Sequence, residues 1–239
     1  MPPVTELVRS EAGLTFRLRR GQPRGGLIVL LHGLSGDENV MWIFDHALPR
    51  SATVIAPRAP YASEFGGCSW ARAVARGELD QVDFQEAIDH LTRFLHEVIA
   101  LYQVDPPRVI IMGFSQGAAL SYAFSQAHPE LLRGVIALAG FLPNSSGDPP
   151  SASTRWRAQP LAETRAASQA RRDVSQLSYL IIHGTRDEAV PIDRAREARS
   201  VLERRGASVE YHEHRVGHKV SAQGMQEIAR WVVETLREF

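Results

Sequence analysis

Four stretches of this chain, "LIVLLHG" (27–33), "RVIIMGFS" (108–115), "GVIALAGFLP" (134–143) and "SYLIIHGTRD" (178–187), are apolar at consecutive positions instead of alternate ones. A strand that meets water on one face alternates; a strand covered on both faces has no polar side to show. Such runs call for a parallel sheet with a layer on each side, and each parallel connection needs a crossover, normally a helix. The intervening sequence supplies them. In "VDFQEAIDHLTRFLHEVIALY" (82–102), Phe84, Ile88, Leu91, Leu95, Val98, Ile99 and Tyr102 recur at three- and four-residue spacing, with charges opposite. Further helices are expected at 116–127, 192–205 and 221–238, and shorter strands near 14–18, 52–56 and 207–213. The alternation predicts an α/β fold: a mostly parallel central sheet with helices on both faces, a three-layer sandwich.

The rest of the chain sets limits on this. At 239 residues without a Gly/Ser linker, residues 1–239 read as one domain. Lys plus Arg balance Asp plus Glu at 27 each, which argues against nucleic acid or a charged membrane surface as partner. The N-terminal "MPPVTELVRSEAGLTF" lacks a secretory pattern, and no apolar run approaches the ~18 residues of a membrane span. The single cysteine, Cys68, forms no internal disulfide and no metal spacing, and a cytoplasmic location is expected. Residues 144–176 are rich in Pro, Ser and Ala and read as a surface excursion: a solvated loop or, with Arg155, Arg157, Arg165, Arg171 and Arg172 outnumbering Asp148, Glu163 and Asp173, a basic lid.

In sheets of this kind ligands bind beyond the carboxyl ends of the strands. Each apolar run ends in polar residues there. The second ends in Gly113-Phe114-Ser115-Gln116-Gly117, a G-x-S-x-G pattern lying directly between a buried strand and the helix-forming "AALSYAFSQAH". At such a corner the serine is pushed clear of the sheet and the glycines make room for the crowded backbone. A tight turn with an N-capping serine would use the same residues. A serine hydroxyl needs a base, and an imidazole base needs a carboxylate to fix its tautomer. Both are expected downstream, in the order Ser, Asp, His. Asp187 follows the fourth run, ahead of Glu188 and Asp193 as candidates, because Glu188 is one step further from the strand and Asp193 suits the first turn of the next helix. His218 lies after the last strand and before the final helix. Of the other histidines, His212 and His214 read as an edge-strand pair, His90, His96 and His128 as structural, and His32 and His183 as braces of the turns at strand ends. Two backbone N–H groups for a developing oxyanion are expected from Leu34 in "HGLSGDE" and from Gln116. Trp70, Phe141, Leu142, Met41 and Trp42 are candidate acyl contacts.

Taken in order, "LLHGLSGDE", "GFSQGA", "HGTRDEAVP" and "GHKVS" resemble the α/β-hydrolase family of small carboxylesterases that includes the lysophospholipase and acyl-protein thioesterase type, over most of residues 14–238. The resemblance implies Ser115 as nucleophile, His218 as base, Asp187 as its orienter, and the Leu34 and Gln116 amides as oxyanion hole. It further implies hydrolysis of carboxylic esters, thioesters or lysophospholipids without cofactor or metal, on a small-molecule ester or acyl substrate, with no stable membrane insertion; homodimers are common in such families. The segment 59–73 keeps Trp70 but departs after it, and 144–176 is longer than the resemblance leads one to expect, so both leave the substrate open. Lyases and cofactor-free peroxidases reuse the same triad, and non-catalytic ligand receptors the same fold.

Overall fold

Val29 of β3 (Leu27–Leu31) and Ile111 of β7 (Val109–Phe114) lie side by side in parallel register, with no exposed residue in either strand. They form the centre of an eight-stranded sheet in the computed structural model, which describes residues 5–72, 84–104, 108–143 and 173–237. The other strands are β1 (Glu6–Arg9), β2 (Thr15–Arg19), β4 (Thr53–Pro57), β8 (Gly134–Leu138), β9 (Ser178–Gly184) and β10 (Ser208–His214), in the order β1-β2-β4-β3-β7-β8-β9-β10. Pairing is parallel from β4 to β10, and β1 and β2 add an antiparallel edge. A separate hairpin joins β5 (Tyr61–Ala62) to β6 (Cys68–Ser69).

The period of two along each central strand divides its side chains between two core layers. Leu27, Val29 and Leu31 share one core layer with Leu91, Leu95, Tyr122 and Phe124 of helices α1 (Gln85–Tyr102) and α2 (Gln116–Ala127), and with Ala195 and Leu202 of α3 (Ile192–Arg204). Ile28 and Leu30 pack with Met41 and Phe44 of a 3-10 segment (Val40–Ala47) and with Ile228, Trp231 and Val232 of α4 (Ala222–Arg237). These are the layers the consecutive apolar runs require. Fully burying each such side chain contributes about 1.5–3 kcal/mol. Asp45 accepts hydrogen bonds from Arg19 at 2.7 Å and Arg50 at 2.9 Å, clamping the 3-10 segment to β2.

Among the described residues no helix is long and apolar enough to cross a membrane. Most of the expected excursion, residues 144–172, lies outside the described residues. Because β3, β7, β8, β9 and β10 run parallel, their carboxyl ends share one edge, where Leu34, Ser115, Leu142, Asp187 and His218 all follow their strands.

Candidate active site

Ser115 occupies the single residue between β7 and α2, with φ 53° and ψ −116°. A non-glycine residue there is strained by about 1–3 kcal/mol, which persists only when the surroundings enforce it. They do so by close packing. A Cβ at Gly113 would lie 2.2 Å from the Gly117 carbonyl oxygen, and one at Gly117 would lie 2.2 Å from the Leu31 carbonyl oxygen. The backbone N–H of Ser115 donates to Leu138 on β8 at 2.9 Å, so the corner is pinned to the neighbouring strand.

Asp187 closes the turn after β9. Its Oδ1 accepts the N–H groups of Ala189 and Val190, each at 2.9 Å, leaving Oδ2 for the imidazole of His218, whose Nδ1 lies 2.7 Å away. An N–H donated from Nδ1 leaves Nε2 as the free lone pair of the ring. The carboxylate is fully buried, while His218 keeps partial exposure. Close backbone approach brings the two loops together: a Cβ at Gly184 would lie 2.3 Å from the carbonyl oxygen of Gly217. The ring of His218 rests against Phe114, the residue before Ser115, with centroids 4.9 Å apart. Among the described residues, neither Ser115 Oγ nor His218 Nε2 carries a hydrogen bond. The structure thus joins Asp187 to His218 directly and brings Ser115 to them through its neighbour Phe114.

The Leu34 loop is tied down from several sides. His32, fully buried, accepts the Ala59 N–H through Nε2 at 3.0 Å and donates from Nδ1 to the Gly33 carbonyl at 2.7 Å; burial lowers its pKa, favouring this neutral form. Cys68 and Gly36 form a bridge, and Ser35 donates its N–H to the Cys68 carbonyl at 2.9 Å. Glu38 takes two bonds from Arg58, at 2.6 and 2.7 Å, which hold its carboxyl at about 2 rather than 4.5. Gln116 extends the network from the other wall: its Oε1 accepts the Trp70 N–H at 3.0 Å and its Nε2 donates to Ser69 Oγ at 3.1 Å. Among the described residues, the backbone N–H groups of Leu34 and of Gln116, the first residue of α2, have no hydrogen-bond partner.

The expected acyl contacts are mostly turned inward. Trp70 is 1% exposed, its indole N–H donated to the His32 carbonyl at 2.8 Å and its ring 5.2 Å from that of His32. Phe141 and Leu142 are buried in the layer under α1 and α2 and Met41 in the opposite layer, while Trp42 is half-buried beside Met41. The hollow next to the Leu34 loop is lined instead by Leu34, Ala62, Ser63, Glu64, Phe65, Ser69, Ala71 and Arg72, with Phe65 exposed. Sequence reasoning marked Leu34 and the segment 59–73 as a whole but singled out none of Ala62, Ser63, Phe65, Ala71 and Arg72: this short stretch has no periodicity to mark them. His212 and His214 are both held by Glu227, at 3.3 and 3.0 Å, on the edge strand.

The Phospholipase/Carboxylesterase family matches the chain over residues 18–161, more than half its length. A protein of Oryza sativa subsp. japonica named "Probable inactive carboxylesterase" is 26% identical over 230 residues, spanning 90% of this chain and 86% of its own. An "Acyl-protein thioesterase 1" of Kluyveromyces lactis is 26% identical over 238 residues, spanning 91% of this chain and 95% of its own. The crystal structure of the Bacillus cereus carboxylesterase superposes with a TM-score of 0.74 over 94% of this chain and 96% of its own; at 21% identity that likeness is one of fold.

Proposed function

The chain belongs to the phospholipase/carboxylesterase family of carboxylic ester hydrolases, and from that premise we propose that it cleaves esters or thioesters by two-step acyl transfer through Ser115, His218 and Asp187. The observation that carries the reading is the backbone of Ser115: a buried strand ends in a serine held at φ 53°, a conformation an ordinary capping turn has no need to enforce.

In the first step Ser115 Oγ attacks the carbonyl carbon while its proton passes to Nε2 of His218. Asp187, hydrogen-bonded at 2.7 Å to Nδ1, holds the tautomer that leaves Nε2 free and stabilises the imidazolium. The carbonyl oxygen becomes an anion and takes the N–H groups of Leu34 and Gln116; one such donor is worth about 2.7–4 kcal/mol of barrier. Collapse expels the alcohol or thiol, which receives the proton from His218. Water then attacks the acyl-serine with the same base, and the carboxylic acid and Ser115 are released. Catalytic hydrogen bonds often tighten only in the substrate complex, which accommodates the open contact between Ser115 and His218.

The hollow beside Leu34 mixes apolar residues, Leu34, Ala62, Phe65 and Ala71, with polar ones, Ser63, Glu64, Ser69 and Arg72, and is the place where substrate contacts are to be sought. A panel of p-nitrophenyl esters graded in acyl length, with a palmitoyl thioester and a lysophospholipid, tests the reading. Hydrolysis of at least one substrate class by the native chain, and its loss in Ser115→Ala with folding intact, is expected. Turnover retained in that variant overturns the mechanism, and absence of turnover in the native chain favours a non-catalytic ligand-binding protein.

A further inference from the structure

One buried titratable group near the site is not used by this mechanism. His183 lies on β9, four residues before Asp187, and is 1% exposed. Its Nε2 is 2.8 Å from the Val190 carbonyl oxygen and 3.5 Å from Oδ2 of Asp187, the oxygen that receives His218.

We propose that His183 is a positioning residue: a neutral imidazole that anchors the 187–190 turn and thereby aims Asp187 at His218. This rests on the reading of Asp187 and His218 given above. The hydrogen bonds form a chain. His183 donates from Nε2 to the Val190 carbonyl, the N–H of Val190 donates to Asp187 Oδ1, and Asp187 Oδ2 is left to face His218. Val190 is thus held through both of its backbone groups, its carbonyl by His183 and its N–H by Asp187 Oδ1; without the first bond the residue can shift, its N–H leaves Oδ1, and the carboxylate can turn.

The tautomer follows from the same contacts. With the proton on Nε2, Nδ1 is bare, and it is buried without a partner among the described residues. A second proton would place an N–H in that position with no acceptor, and a cation 3.5 Å from the oxygen that serves His218. Burial lowers the pKa of His183, outweighing the Val190 carbonyl, Asp187, and Glu213 opposite on β10, which favour such a cation; His218 opposes it as well. The carboxylate of Glu213 is itself occupied by Arg196, at 2.8 and 3.0 Å. Burial and the missing acceptor at Nδ1 both favour the neutral ring, which places no cation beside the oxygen that faces His218.

The test compares His183→Phe, which keeps a ring of similar shape without the N–H, His183→Gln, whose amide N–H reaches about as far as Nε2, and His183→Asn, whose amide sits nearer Nδ1. For His183→Phe, kcat per folded enzyme is expected to fall about 10–100-fold, as for other groups that orient a first-contact side chain. KM should stay unchanged, so that the loss falls on kcat. His183→Gln should recover most of kcat, and His183→Asn should not. A purely packing role would reduce the yield of folded protein and leave kcat of the folded fraction unmoved. That result for His183→Phe overturns the proposal, as does equal activity of the Gln and Asn variants should the Phe variant not fold. Ser115→Ala and Asp187→Asn run alongside: turnover retained in either one refutes the underlying triad and is thus distinguished from a failure of His183 alone.

Discussion

Replacing Glu38 by Gln removes the charge that ties the Leu34 loop to the end of β4. In the native chain Arg58 donates two hydrogen bonds to this carboxylate, at 2.6 and 2.7 Å, and the carboxylate side chain is 3% exposed. Its pKa is held at about 2 instead of 4.5, chiefly by those bonds. At about 1.36 kcal/mol per pH unit, that difference bounds the pair at about 3 kcal/mol. Arg58 is 44% exposed, so water screens its charge, and about 1–2 kcal/mol is the expected loss at pH 7. The pH dependence has a definite sign. Between 4.5 and about 2 the unfolded carboxyl binds a proton that the folded one refuses, so the native chain loses this stabilisation as pH falls through that window. Urea titrations of both proteins at pH 7, 5, 4 and 3.5 should therefore give a gap that is constant above about pH 5 and narrows below it. No gap at pH 7, or one undiminished at pH 3.5, would refute the reasoning.

Gly117→Ala should abolish most activity, because its Cβ, 2.2 Å from the Leu31 carbonyl where 3.4 Å is ordinary contact, must push the corner away from β3; a displacement of about 1 Å costs on the order of 100-fold in kcat/KM. Ester hydrolysis measured on folded protein, as judged by circular dichroism, checks this. Gln116→Ala leaves the buried Trp70 N–H without its acceptor and should lower stability by about 1–3 kcal/mol, read as a fall of several degrees in Tm.

The central strands were legible because their burial on both faces leaves a continuous apolar signature, and expected and observed ends differ by a few residues at most, as at Leu27–Leu31 and Val109–Phe114. Strand β1 was not legible: in Glu6–Arg9 every residue except Val8 is exposed, and what makes it a strand is its pairing with β2, a long-range fact. The two-residue strands β5 and β6 are too short for any period to show. The strained corner at Ser115 and the contact of Asp187 with His218 were legible, as features of geometry, because a glycine-flanked turn and the chain order of strand ends constrain them tightly. The role of Trp70 was not, since residue type reveals an aromatic ring near the strand ends but not that its N–H turns inward to the His32 carbonyl. His183 was read as a brace of the turn after its strand, but its partner, a backbone carbonyl seven residues away, was not legible.

The account stands on Ser115 carrying the acyl group. Acid quenching during turnover of a p-nitrophenyl ester, followed by mass mapping, measures this directly. The account predicts the acyl mass on a peptide containing Ser115, and none in Ser115→Ala. Acyl mass on another residue, or undiminished hydrolysis by Ser115→Ala with no covalent intermediate, would contradict it.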